Sequence, residues 1–143
     1  NDNSDGQVVL SGTPEGVQKV TSNLKCKRAI PLKVSGAFHS PFMEEAAASF
    51  AFELDKVHFR DAVIPVISNA DPTPTCEGAL LKDRLKRQMV TGVRWRETMN
   101  LMRLEGITNL VEIGPGNVLS GLAKRSLQGV STHQISNASD LGY

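Results

Sequence analysis

The sequence predicts an α/β architecture with a largely parallel sheet, and three observations carry that expectation. Strand-like apolar runs alternate with amphipathic helical stretches along the chain. Two of the runs, Val63–Ser68 and Asn109–Ile113, are apolar enough to lie at the centre of a sheet. Helix start and stop signals, such as Thr13-Pro14-Glu15 and Gly106, separate the pieces. Two central strands after residue 60 cannot cover both of their own faces, so the sheet is expected to continue in residues outside this sequence.

In chain order, Gln7–Ser11 reads as a short strand that Gly12 ends. A helix follows from Pro14 to about Asn23, with Val17 and Val20 on one side. Lys25-Cys26-Lys27-Arg28 is a basic turn, and Ala29–Val34 reads as a second strand, with Pro31 pointing to an edge position. From Pro41 to about Leu54, Met43, Ala47, Phe50 and Leu54 share a face, with Glu44 and Glu45 in the first turn. Val63–Ser68 is then a buried strand and 69–74 a loop. The spacing of Leu81, Leu85 and Met89 predicts a helix from about Ala79 to Met89, with Gly92 as its stop. A further helix, Arg94–Glu105, turns Trp95, Met99 and Met102 inward and Arg96, Asn100 and Arg103 outward. Asn109–Ile113 is a buried strand, Gly114-Pro115-Gly116 a tight turn, and Val118 to about Arg125 the last helix. The Ser- and Asn-rich residues 126–143 lack periodicity apart from a short strand near Val130.

Composition narrows the function classes. The 143 residues have the length of one domain, 40% hydrophobic and 22% charged. Sixteen basic against fifteen acidic side chains leave a formal charge of +1, so global basicity gives no argument for nucleic acid. Aromatic residues make up only 5%, too few for a single-strand stacking platform. No apolar run is long enough to cross a bilayer, and no charged-then-apolar leader opens the chain. Cys26 and Cys76 stand alone, without metal-ligand spacing to His39, His58 or His133, so no metal site is expected. Free thiols point to a reducing compartment, with a cytoplasmic location as the default and an organelle matrix as the other option. The polar start Asn1–Gly6, without an initiator Met, points to a fragment or a processed product.

The stretch richest in chemistry is Val34–Met43. It places His39 on a short loop ahead of a helix, with Ser40 as the expected N-cap and Pro41 at the first helical position. The positive end of that helix favours the neutral imidazole a general base requires, and loops are the usual home of such groups. A histidine that merely closes a loop is the alternative. A base also needs a nucleophile to activate, and no Gly-x-Ser-x-Gly elbow occurs in the chain. Either His39 is structural, or its nucleophile lies outside this sequence. Lys25, Lys27 and Arg28 read either as a site for phosphate or an acidic partner, or as a solvated turn. Gly114-Pro115-Gly116 before a helix has the look of a phosphate loop but fits neither GxxxxGK[ST] nor GxGxxG, and a tight strand-to-helix turn is the simpler reading. His58, between Val57 and Phe59, reads as a structural histidine, packed or half-exposed.

Five motifs in order carry a resemblance. They are Gly36-Ala-Phe-His-Ser-Pro-Phe-Met43, Pro65-Val-Ile-Ser-Asn69, Arg87-Gln-Met-Val-Thr-Gly-Val-Arg-Trp95, Glu112-Ile-Gly-Pro-Gly-Asn-Val-Leu-Ser-Gly-Leu122 and Gln7-Val-Val-Leu-Ser-Gly12 with Lys27-Arg28-Ala29. Together they resemble the malonyl-CoA:acyl carrier protein transacylase family, over residues 1 to about 125 and in its C-terminal half only. The resemblance implies part of an α/β-hydrolase-like large domain (35–143) and the last β-α-β portion of a ferredoxin-like small domain (1–34). It implies a ping-pong transfer of malonyl from coenzyme A to the phosphopantetheine thiol of acyl carrier protein, in fatty acid synthesis. Both thioesters are substrates, and no permanently bound cofactor is implied.

By the same resemblance His39 is the base, and Gln88 the residue whose main-chain carbonyl orients its ring. Phe38 crowds an α-methyl branch. Lys27 and Arg28 line the approach of the acidic carrier, and Asn1, Asn3 and Gln7 lie beside the cleft. The serine elbow, the malonate-gripping arginine and the oxyanion hole belong to the family's other half, so the expected partners are malonyl-CoA, acyl carrier protein and that missing N-terminal half. This chain alone is expected to be inactive. Two alternatives stand beside this reading: a non-catalytic carrier-binding module, and a related acyltransferase or thioesterase of other acyl specificity.

Overall fold

The computed structural model describes residues 1–141, and the last two residues of the expected tail lie outside it. The chain is mixed α/β and forms two compact units. Asn1 and Val9–Val93 make the first, and Asp2–Val8 with the chain from Arg94 make the second.

In the first unit, helix α1 spans Pro14–Asn23, and Thr13 caps it by accepting from Gly16 N at 3.1 Å. No residue of α1 is buried. The strand expected over Ala29–Val34 is not formed. That stretch is exposed, with Ile30, Leu32 and Val34 open to solvent, and its backbone bonds only locally, as from Val34 N to Leu32 O. A strand exists only as half of a ladder, and here no second strand pairs with it. A 3-10 turn at Pro41–Met43 leads into α2, Glu44–Asp55, which buries Ala47 and Leu54. Phe50, expected on the same inward face, is exposed.

Val63–Ser68 is also shorter and less buried than expected. Only Val66–Ser68 pairs, as β3, and Val63 is fully exposed. Its partner is β4, Asp71–Thr75, drawn from residues expected to be a loop. The two residues between these strands allow only an antiparallel hairpin, which is what forms.

Helix α3 spans Gly78–Arg87. Buried Arg84 ties it to β4, donating from Nη1 to Thr73 O at 2.6 Å and pairing with Asp71 at 2.9 Å. Lys82 Nζ donates to the Asp55 and Val57 carbonyls at the end of α2. Lys86 pairs with the Asp55 carboxylate, and their hydrogen bond holds that carboxyl below its ordinary value. A shallow depression of about 340 Å³ opens between β3 and α3, lined by Phe59, Ile67, Leu81, Leu85 and Gln88 among others.

In the second unit, β1 (Asp2–Ser4) and β2 (Gln7–Val8) form an antiparallel hairpin around Gly6, at φ 76°. The expected strand from Gln7 thus ends at Val8. Helix α4, Trp95–Leu104, buries Met99 and turns Trp95 and Met102 towards it, with Arg96, Asn100 and Arg103 exposed as the spacing predicts. Arg96 pairs with Asp2 at 2.6 Å. Strand β5, Asn109–Ile113, has the predicted bounds and pairs in parallel with β6, Ser131–Ile135, across helix α5, Val118–Ser126. Met99, Ala123 and Leu127 form the core of this unit.

This is the one parallel pair among the described residues, so the expected largely parallel sheet is not seen. Val111 and Ile113 are exposed, which corrects the expectation of a buried strand. Nor is any described helix long and apolar enough to cross a membrane.

One close approach carries a prediction. Gly78 N donates to Asp61 Oδ1 at 2.9 Å, and a Cβ at Gly78 would lie 2.6 Å from Arg60 O. Backbone cannot yield as a flexible side chain does, so Gly78→Ala should destabilise the protein by about 1–3 kcal/mol in denaturant titration. An unchanged unfolding midpoint would show that the 59–62 segment does not pack on α3 in this way.

Candidate functional site

His39 is the one non-glycine residue at positive φ among the described residues, at 64°. The left-handed region is sparsely populated for side chains other than Asn, Asp and His, and surrounding bonds must hold it there. Three bonds do so. His39 N donates to Met89 O at 2.9 Å, and ring Nδ1 lies 2.9 Å from Gln88 O and 3.2 Å from Thr91 O.

These acceptors follow from how α3 ends. The last carbonyls of a helix have no intrahelical donors. Helix α3 stops at Arg87, Gln88 is its C-cap at φ −56° and ψ −37°, and the 88–91 turn presents its carbonyls to the His39 loop. Gly92, the expected stop, lies beyond this turn. Carbonyl oxygens only accept, so Nδ1 carries a proton, and in the neutral ring Nε2 keeps its lone pair. The arrangement can therefore take a proton at Nε2 while the main chain fixes the ring.

Ser40 is buried and has the extended backbone of an N-cap, at φ −141° and ψ 164°. Its hydroxyl caps no amide, however. It donates back to Ala37 O at 2.6 Å, closing the loop over residues 37–40. Phe38 is half exposed, and its ring lies 3.4 Å from where a Gly36 side chain would begin.

Asn1 Oδ1 accepts from Val93 N at 3.0 Å, beside the turn that meets His39. This link escaped sequence reasoning, since no local pattern pairs residues 92 apart. Lys27 and Arg28 are exposed on the irregular segment after α1. Asn3 lies in β1 and Gln7 in β2, both in the second unit, and Gln7 Oε1 accepts from Arg125 at 3.1 Å. The structure thus joins His39 to Gln88, while Lys27, Arg28, Asn3 and Gln7 belong to other segments. His58 is exposed, and no described cluster of His, Cys, Asp and Glu could hold a metal.

Gly114 and Gly116 adopt φ 135° and 90°, as a tight strand-to-helix turn requires. The phosphate-loop reading of this turn meets an obstacle. The Glu112 carboxylate accepts from Leu119 N at 3.0 Å and Ser120 N at 2.8 Å, so the start of α5 already has an internal anion.

No protein-family model matches the chain. Its relatives are nevertheless acyltransferases. The malonyl CoA-acyl carrier protein transacylase of Synechocystis is 51% identical over 141 residues, 99% of this chain and 48% of that protein. The Bacillus subtilis transacylase is 43% identical, over 94% of this chain and 44% of its own length. Among solved structures, the Synechocystis malonyl-CoA:ACP transacylase matches with a TM-score of 0.85 and 49% identity, over 92% of this chain and 45% of that one. The Mycobacterium tuberculosis enzyme matches with 0.89 and 34%, over 97% and 46%. A malonyl-transacylase in complex with its type II PKS acyl-carrier protein matches with 0.79 and 33%, over 90% and 42%. The chain is thus a homologue of malonyl CoA-acyl carrier protein transacylases, and it spans about half the length of the relatives it matches.

Hydrogen bonds from the Ser120 hydroxyl and amide, and from Leu119 N, hold the Glu112 carboxyl below its ordinary value of 4.5. A carboxyl depressed in the folded state stabilises fully above its unfolded pKa and loses that contribution as pH falls through the folded one. The melting temperature of Glu112→Gln should therefore lie below wild type at pH 7, and the gap should close below about pH 4.5. A gap independent of pH would remove the charge from the account of α5.

Proposed function

We propose that this chain is the C-terminal part of an enzyme that transfers malonyl from coenzyme A to the phosphopantetheine thiol of acyl carrier protein, with His39 as its proton carrier. The supporting observation is the 2.9 Å contact of His39 Nδ1 with Gln88 O, which leaves Nε2 free to act. A serine from the remainder of the protein gives its proton to Nε2 as its Oγ attacks the malonyl thioester carbon. The C–S bond breaks, and the coenzyme A sulfur takes that proton. In the second half, the carrier's thiol gives its proton to Nε2, its sulfur attacks the acyl-serine ester, and the serine oxygen leaves with the proton. No cofactor enters these steps.

On this reading Gln88 orients His39 through its carbonyl, and Phe38, beside the base, restricts the acyl pocket against α-branched groups. Asn3 and Gln7 lie along the cleft. Residues 1–34 are the end of a ferredoxin-like subdomain, and 35–143 part of a hydrolase-like domain. The exposed Val63, Ile64, Val111 and Ile113 are surfaces that the remainder of the protein covers. Serine, malonate-binding arginine and oxyanion hole come from that remainder, so the isolated chain is inactive. The whole enzyme works in the cytoplasm or an organelle matrix. A relative solved with its carrier protein supports the choice of partner.

Incubating the whole protein with malonyl-CoA and reading its intact mass tests the base. His39→Ala should lose serine acylation by at least about 10²-fold. Near-normal malonyl loading in that variant would remove His39 from the mechanism. The same assay with methylmalonyl-CoA and acetyl-CoA tests the acyl preference.

Lys27 and Arg28 are exposed cations that suit an acidic carrier. Lys27→Glu with Arg28→Glu should raise the KM for acyl carrier protein about 10-fold at low salt, and less as salt screens the pair. An unchanged, salt-independent KM would place carrier docking elsewhere.

A further inference from the structure

The acceptors of His39 sit on a turn with few restraints of its own. Val90 N and Thr91 N at 3.2 Å, and Thr91 Oγ1 at 3.0 Å, all converge on the single carbonyl of Arg87. One carbonyl oxygen has two lone pairs, so three donors cannot all be well aligned. Immediately beyond, Gly92 is exposed, and a Cβ there would meet no atom within 4 Å. Packing does not fix it, and glycine is the residue most free to pivot.

The pivot is stopped one peptide later. Val93 N donates to Asn1 Oδ1 at 3.0 Å. Asn1 is itself held by the main chain, with Val9 N donating to Asn1 O at 2.9 Å. A side-chain oxygen on a main-chain-anchored residue therefore pins the Gly92–Val93 peptide.

We propose that Asn1 is a positioning residue for the His39 ring. Its Oδ1 fixes the peptide after Gly92, and so fixes the Gln88 and Thr91 carbonyls that hold the ring with its proton on Nδ1. The inference rests on the reading of His39 as the base, and it gives Asn1 a task other than lining a substrate cleft.

The test uses the whole protein, labelled with 15N-histidine, as wild type, Asn1→Ala and Asn1→Asp. In wild type the His39 proton should sit on Nδ1, and the Val93 amide should exchange slowly with solvent. Asn1→Ala should speed that exchange and mix the tautomers. It should lower kcat for malonyl transfer on the order of 10-fold to 100-fold while KM for the coenzyme A thioester stays within about two-fold. Asn1→Asp keeps an acceptor oxygen in place and should restore the tautomer and most of kcat.

A Val93 amide that exchanges at open-loop rates in wild type overturns the proposal without any variant. So does an Asn1→Ala protein with unchanged tautomer and amide protection, whatever its rate. A fall in kcat with the tautomer intact would put Asn1 on the substrate. Should Asn1→Ala not fold, the wild-type amide and Asn1→Asp decide. If wild type transfers no malonyl the transacylase reading fails, yet the exchange and tautomer measurements still judge Asn1.

Discussion

The hydrogen bond from His39 Nδ1 to the Gln88 carbonyl is the constraint on which the first unit turns. It satisfies one of the C-terminal carbonyls of α3 that lack helical donors, and it restrains a histidine held at φ 64°. A non-glycine residue in that region costs about 1–3 kcal/mol, which a loop tolerates only when its surroundings over-determine it. Here the over-determination is visible. The peptide N–H goes to Met89 O, the ring to Gln88 O and Thr91 O, and the neighbouring Ser40 hydroxyl back to Ala37 O. The loop and the helix end each supply what the other lacks.

That arrangement works only if α3 itself stays in place. Its anchors lie along its length rather than at the site. Gly78 sits against the 59–62 backbone, Lys82 and Lys86 reach the end of α2, and buried Arg84 holds β4. Arg84 is nearly inaccessible, and removing only its Asp71 partner would leave a buried charge uncompensated. Helix-to-hairpin packing is thereby coupled to the geometry around His39, through a rigid element rather than a direct contact.

What the sequence made legible follows from the range of the interactions. The start of α1, the end of α4 and β5 were readable because their determinants are local: Thr13 before Pro14, Gly106 just past the helix, and Leu110, Val111 and Ile113 within one short stretch. Gly114-Pro115-Gly116 made the turn equally plain, and both glycines take the positive φ it needs. Ala29–Val34 has strand composition, but a strand needs a partner that composition does not specify. The β3–β4 hairpin was missed because Pro72 and Pro74 look like loop residues, although an edge strand accepts them. At the site, His39 stood out by its loop and the helix after it. Gln88 came from family resemblance alone, since a main-chain acceptor leaves no trace in residue type. The left-handed backbone of His39, the role of Arg84 and the Asn1–Val93 bond depend on contacts between distant segments.

Two helix termini in this chain show how one physical problem leads to different chemistry. At the start of α5 the free amides meet the Glu112 carboxylate from the preceding strand, and the polar groups are consumed internally. At the end of α3 the free carbonyls meet an imidazole, which has a second nitrogen. Satisfying Nδ1 leaves Nε2 with its lone pair. The first solution therefore closes a turn, while the second leaves a group able to exchange a proton. Because the orienting acceptor is main chain, substituting the Gln88 side chain does not delete it. The constraint falls instead on the path of the 88–93 backbone, and so on the residues that hold that path.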